Sequence, residues 1–197
     1  MVRQRGYAAT SVEDICADAG VTKGAFFHHF ASKEALAVAA ADAWTDVAAV
    51  RIFTAADWVR ISDPLERLIA HVDFRLSMMA GAAADFTCFV GTMVQEAYAT
   101  SEPIRTACDA SISAYCARLA EDIAAAIDAH PPRLPVDPLA LAHHIQAVLQ
   151  GAFILAKTKG DPAAARQSVE HLQIYISLLF GRGETNEPDD FYKLAGR

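Results

Sequence analysis

Thr10-Ser11-Val12-Glu13-Asp14-Ile15-Cys16-Ala17-Asp18-Ala19-Gly20-Val21-Thr22-Lys23-Gly24-Ala25-Phe26-Phe27-His28-His29-Phe30 is the stretch whose reading decides the fold. It predicts two short helices and a tight turn. Thr10 and Ser11 are hydroxyl caps for the first helix, and Asp14 stands at capping-box distance from Ser11. Val12, Ile15, Cys16 and Ala19 recur at helical spacing, so one face is apolar. Gly20 stops this helix, because glycine takes the left-handed turn without the clash of a Cβ. Thr22 caps a second helix, whose Ala25, Phe26 and Phe30 are expected to face the first. Lys23, Gly24, Phe27 and His28 then point outward. A helix, a glycine turn and a second helix with a small, basic start form the helix-turn-helix pattern that docks in a DNA major groove.

Ahead of this stretch, Met1 to Arg5 leave room for about one helical turn before Gly6. A helix-turn-helix pair usually buries its apolar face against a third helix. Three readings stay open: residues upstream of Met1, contacts from elsewhere in the chain, or a marginally stable head. Beyond the stretch, Ser32 caps a helix running to about Phe53, with Leu36, Ala40, Ala43, Trp44, Val47 and Val50 as its stripe. This helix joins head to body. Asp63-Pro64 opens a helix striped by Leu65, Leu68, Ile69, Val72, Leu76 and Met79, ending by Gly81. Phe86, Phe89, Val90, Met93, Val94 and Ala97 predict one helix from about Asp85. Ser101-Glu102-Pro103 begins a long helix that His130-Pro131-Pro132 ends. Asp137-Pro138 and Gly160-Asp161-Pro162 bracket the next, and a last helix reaches Gly181. The tail is polar, with Phe191, Tyr192 and Leu194 as its docking candidates. No segment has strand periodicity. The fold class is all-α: a helix-turn-helix head with a truncated first helix in residues 1–45 (motif about 11–30), and a helical ligand-binding and dimerisation body in residues 46–197.

Composition narrows the function. Hydrophobic residues make up 53% of the 197 and the net charge is −7. Residues 1–34 balance Arg3, Arg5, Lys23 and Lys33 against Glu13, Asp14, Asp18 and Glu34, so the whole deficit lies in the remainder. Such a head binds phosphate only where its cations cluster, with low non-specific affinity and a modest salt slope. No apolar run is expected to span a bilayer and no leader pattern opens the chain, which predicts a soluble cytoplasmic protein. Cys16, Cys88, Cys108 and Cys116 show no metal-ligand spacing, so reduced thiols and no metal site are expected. His28-His29 and His143-His144 are adjacent pairs, which diverge on a helix instead of sharing a ligand face. No nucleophile stands beside a base, so neither catalysis nor a cofactor is expected.

The run Gly6-Tyr7-Ala8-Ala9-Thr10-Ser11-Val12-Glu13-Asp14-Ile15, then Ala19 to Gly24, Phe26 to Phe30 and Ser32-Lys33-Glu34-Ala35-Leu36, resembles the DNA-binding domain of TetR/AcrR-type bacterial regulators. The resemblance implies that Thr22, Lys23 and Gly24 face the groove. It places Phe27, His28, His29 and Lys33 at the DNA backbone, with Thr10 and Ser11 touching phosphate from the first helix. Tyrosine is frequent in that family where Phe27 stands here. The bland alternatives are a structural His29 and a solvated Lys33.

In the last two helices, Leu139, Ile154, Ile174 and Leu178 lie off the main stripes, and a helix apolar all round is buried all round. This predicts a homodimer through helices 138–159 and 162–180, as the resemblance also implies. A small-molecule effector pocket is expected between the middle helices. Its candidate lining is Phe74, Met78, Phe86, Cys88, Phe89, Met93, Gln95, Tyr98, Tyr115, His144 and Phe153, each against a plain core role. Cys88 carries a sharper reading, because some relatives with a similarly placed cysteine respond to electrophiles or oxidants. No charged partner is evident beside it in sequence. The expected function is a ligand-responsive regulator, a repressor released from a palindromic double-stranded DNA operator. The competing reading is a dimeric helical sensor that no longer binds DNA.

Overall fold

The computed structural model of the chain describes residues 1–182, so Phe191, Tyr192 and Leu194 lie outside the described residues. Among the described residues every regular element is helical. The order is α1 (Val2–Arg5), α2 (Val12–Ala19), α3 (Lys23–His29), α4 (Lys33–Phe53), a 3-10 turn (Asp57–Arg60), α5 (Pro64–Ser77), α6 (Ala83–Phe86), α7 (Phe89–Ala97), α8 (Glu102–Ala129), α9 (Pro138–Lys159) and α10 (Ala163–Leu179).

Capping side chains set most helix starts. The Ser11 hydroxyl accepts the Asp14 N–H at 3.1 Å while the Asp14 carboxylate accepts the Ser11 N–H at 2.9 Å, a complete capping box. The Thr22, Ser32 and Ser101 hydroxyls cap α3, α4 and α8 by accepting the N–H three residues on, without the reciprocal bond. Asp63 and Asp137 cap α5 and α9, each followed by proline in the first turn. Gly20 ends α2 at φ 66°, the left-handed region that a side chain avoids.

Two apolar clusters organise the molecule. The larger joins α5, α8, α9 and α10 through residues such as Leu68, Leu119, Ile145, Leu149, Val169 and Ile176. The second joins head to body: Ala37 and Ala41 of α4 meet Val90 and Met93 of α7 and Ile104 and Cys108 of α8, with Val2 and Tyr7 packed on the same group. Val2 and Tyr7 of the N-terminal segment thus pack on the body.

Three expectations change. The stripe of α4 is rotated: Ala37, Ala41 and Ile52 are buried, whereas Val47 and Val50 are exposed. An alanine-rich helix has no single apolar face, and close packing on α7 and α8 selects its small side chains. The helix expected from about Asp85 is two pieces. Asp85 caps the start of α6 by accepting the Ala82 N–H, Thr87 and Cys88 are extended, and the Cys88 sulfur caps α7 by accepting the Gly91 N–H at 3.3 Å. Finally, α9 is long and apolar enough to cross a membrane by length and composition. Here one side of it is core, packed on α8 and α10, and its outer side is apolar too, so it passes the same test as a span.

His71 sits fully buried between the Phe53 and Trp58 rings, with Nε2 2.8 Å from the Tyr115 hydroxyl. Burial, reinforced by Arg75 and Arg118, lowers its pKa from 6.5 to about 3. The folded state therefore keeps His71 neutral while the unfolded chain takes up a proton below pH 6.5. The stability it contributes is complete above that pH and declines toward pH 3, by about 1.4 kcal/mol per pH unit. Urea denaturation at pH 7, 6 and 5 will show a shallower loss for His71→Phe than for the parent. Equal slopes would contradict a neutral His71.

Candidate functional site

The head presents α3 outward. Thr22, Lys23, Gly24, Phe27, His28 and His29 are all exposed, Phe27 by 55%, and Phe26 alone turns into the head core. Ala25, expected inside, is exposed as well, because a seven-residue helix fits a single inward turn. A Cβ on Gly24 would meet only the Thr22 hydroxyl, at an ordinary 3.7 Å. Nothing inside the protein requires glycine there.

Every cation of residues 1–34 already has a protein partner. Lys23 pairs with Glu13 of α2, which holds the Glu13 carboxyl below the usual range through their hydrogen bond. Arg5 pairs with Asp14 at 3.1 Å. Arg3 donates to the Asp85 and Thr87 carbonyls at 3.2 and 3.3 Å and lies over the Trp44 ring. Lys33 donates to the Tyr7 and Thr10 carbonyls, both at 3.0 Å, and stands 4.2 Å from the Tyr7 ring centroid. Lys33 is therefore a staple of the head fold and not a solvated lysine. Thr10 is corrected likewise. It is 1% exposed and its hydroxyl donates to the Gly6 carbonyl at 2.7 Å, so Ser11 alone caps α2.

Head and body are latched at points that the sequence does not connect. The Glu96 carboxylate of α7 accepts the Ala8 N–H at 2.8 Å. It also fills the space where Gly6, at φ 92°, would carry a Cβ. Ser101 donates to Glu34. These latches and Arg3 join the α4 helix in linking the two parts.

A cavity of about 310 Å³ lies among α4, α5, α8 and α9. Of the expected lining, Met78, Phe86, Cys88 and Tyr115 are on its wall. The others point elsewhere. Phe74 packs on Ile52 and Trp58, and Phe89 sits beside the Trp44 ring. Met93 is fully buried in the head–body cluster, and Phe153 is core against Phe86. Gln95 is exposed, with its amide on the Gly91 carbonyl, and Tyr98 is 63% exposed. His144 is on the outer face of α9, against Tyr175 of α10 at 5.2 Å. Aromatic and methionine composition marks apolar surface without giving helix phase, which explains these misplacements. The polar lining was missed: Arg3, Arg51, Arg75, Arg118, Gln146 and Gln150. A usable signal was the Gln146–Gln150 pair, one turn apart on an otherwise apolar helix.

Cys88 lines the cavity and is half-buried, whereas Cys16, Cys108 and Cys116 are buried. Burial pushes Cys108 up to about 11 and raises Cys116. The charged neighbour missing from the sequence around Cys88 comes from α9. Lys157 donates to the Thr92 hydroxyl at 2.6 Å and is within electrostatic range of Cys88. Burial lowers the Lys157 pKa.

An outward, glycine-bearing second helix on a helical body that encloses a cavity defines a helix-turn-helix regulator. Residues 1–40 match the family described as bacterial regulatory proteins of the tetR family. Residues 64–172 match the tetracyclin repressor-like C-terminal domain. The chain belongs to the TetR family and is a DNA-binding transcriptional regulator; members of this family are regulators rather than enzymes. It is 27% identical over 161 residues to an uncharacterized HTH-type transcriptional regulator in the lacX 3′ region of Lactococcus lactis subsp. lactis, covering 82% of this chain and 80% of that protein. A TetR transcriptional regulator from Chloroflexus aurantiacus superposes with a TM-score of 0.75 at 28% identity, over 87% of this chain and 86% of that one. The regulatory protein TetR from Rhodobacter sphaeroides gives 0.77 at 25% identity, over 88% and 92%.

N-ethylmaleimide added to the folded protein near neutral pH will modify Cys88 ahead of the other cysteines, as read by peptide mass spectrometry. Equal labelling of Cys108 or Cys116 would contradict the burial order.

Proposed function

We propose that the protein is a soluble, cytoplasmic repressor that leaves a palindromic operator when a small molecule fills its body. The head, residues 1–45, reads DNA and the body, residues 46–197, dimerises and senses. The observation that carries the DNA reading is the outer face of α3. Gly24 disfavours the helix by roughly 1 kcal/mol relative to alanine, with no steric reason inside the protein, and it leaves open backbone at the helix start where N–H groups meet phosphate. Ser11, Thr22, Lys23, Gly24, Phe27, His28 and His29 are the proposed contacts. In a dimer the two α3 helices would sit about one DNA turn apart, roughly 34 Å.

The dimer reading rests on the outer faces of α9 and α10. Leu139, Ile154, Leu155, Ile174, Tyr175 and Leu178 are all more than 40% exposed. Gly151 has open space around it, so a second backbone can approach. Two such helices from each subunit make a four-helix interface.

The effector reading rests on the cavity wall, which includes residues of α4 and Arg3 of α1. A molecule that prefers a shifted α4 or a displaced Arg3 would move the head population away from the DNA-competent spacing. Transmission then runs through α4 and, in parallel, through the α1 latch.

A gel shift with the DNA flanking the gene tests the regulator directly; no shifted species at low salt would favour the non-DNA-binding sensor. In that assay Lys23→Ala weakens specific binding about tenfold or more and leaves the body's unfolding transition in place. Glu13→Gln strengthens binding by freeing Lys23. Unchanged affinity in both variants removes Lys23 from the contacts. For the dimer, Ile174→Asp with Leu178→Asp yields monomers by light scattering after gel filtration. A dimer that survives both charges lies elsewhere.

A further inference from the structure

The cavity's polar wall has a sign. Arg3, Arg51, Arg75 and Arg118 line it against a single carboxylate, Asp85, in a chain whose net charge is −7. Asp85 already accepts the Ala82 N–H at 2.9 Å. The guanidiniums are not equivalent. Arg118 pairs with Asp122 at 3.0 Å and Glu121 at 3.4 Å. Arg3 holds two backbone carbonyls. Arg51 is exposed. Arg75 is half-buried and has neither a hydrogen bond nor a carboxylate partner among the described residues; its guanidinium carbon is 5.6 Å from the Tyr115 ring centroid and within electrostatic range of His71.

Gln150, also on the cavity wall, carries a second unpartnered donor, packed toward Gly91. Gln150 Nε2 is buried without a hydrogen-bond partner, and its amide occupies the room that a side chain on Gly91 would need. Gln146 stands one turn before it. A buried donor without an acceptor is unfavourable, and a turn of the Gln150 amide toward the cavity would let an anion's oxygen relieve it. A planar carboxylate matches the fork of a guanidinium and gains strength where water is scarce. The rest of the wall is mainly apolar, with Trp44, Ile52, Phe53, Phe86 and Ile112, beside the hydroxyls of Thr45, Thr54 and Ser111.

We infer that the cavity takes a small amphipathic anion, an aromatic or aliphatic carboxylate, with its charged end on Arg75 and its apolar end among the rings. This rests on the reading of the cavity as the effector site. Neutral analogues lose the ionic hydrogen bond, and cations meet the repulsion of several guanidiniums.

Isothermal titration of the full-length protein with 2-naphthoate, 2-naphthalenemethanol and 2-naphthylmethylammonium tests it. The carboxylate will bind about tenfold or more tightly than the alcohol, as an ionic hydrogen bond predicts, and the ammonium will bind least. Arg75→Gln, with an unchanged circular dichroism spectrum, will erase the preference and keep the alcohol's affinity; Arg75→Lys will retain part of it. An alcohol or ammonium that binds as well as the carboxylate in the parent protein overturns the anion assignment and leaves the cavity a ligand site. A preference that survives Arg75→Gln overturns the placement of the charged end on Arg75. Binding of none of the three overturns the effector-site reading and this inference together.

Discussion

The head depends on packing that it shares with the body. Val2 and Tyr7 pack on the same apolar group as Ala37, Ala41, Val90, Met93, Ile104 and Cys108. Gly6 is pressed against Glu96, whose carboxylate also holds the Ala8 N–H. The head is thus part of the body's packing and not a bead on a tether. Moving it means re-forming a shared cluster, and closely packed clusters change between discrete arrangements more readily than they deform. The coupling that a regulator needs follows from this shared burial.

The same economy shapes the charges. The head's cations are engaged with protein groups, two in surface pairs and two against backbone carbonyls. Surface pairs such as Lys23–Glu13 contribute little to stability, so exchanging the Glu13 carboxylate for a phosphate is a small perturbation. Lys33 and Arg3 differ, because their carbonyl contacts tie α4 and α6 to the N-terminal turn. Among the cations of residues 1–34, Lys23 and Arg5 sit in surface pairs that the proposed DNA contact would exchange for phosphate, whereas Lys33 and Arg3 keep the fold together.

One helix combines three roles. On α9, Leu141, Ile145 and Leu149 are core, Gln146 and Gln150 face the cavity, and Leu139, Ile154 and Leu155 face outward. A 3.6-residue period presents these faces in turn. That division explains why the helix reads as apolar enough for a membrane, and it places the cavity wall directly behind the proposed dimer face.

Much of this was legible in the residue order. Ser11 with Asp14, Gly20, Thr22, Ser32, Asp63-Pro64, Ser101 and Asp137-Pro138 mark helix ends correctly, because caps, glycine and proline act within a few residues of themselves. The outward Lys23, Gly24 and Phe27 follow from the same local geometry, with Phe26 as the inward anchor. Tertiary packing alone settled which face of alanine-rich α4 is buried and where the Asp85–Ala97 segment breaks. It also turned Thr10 and Lys33 inward and brought Arg3, Arg75, Arg118 and the two glutamines around one cavity. Those outcomes depend on side chains far apart in sequence meeting in a space that no local signal describes, where burial and unmet hydrogen bonds decide between arrangements that local propensity leaves equal.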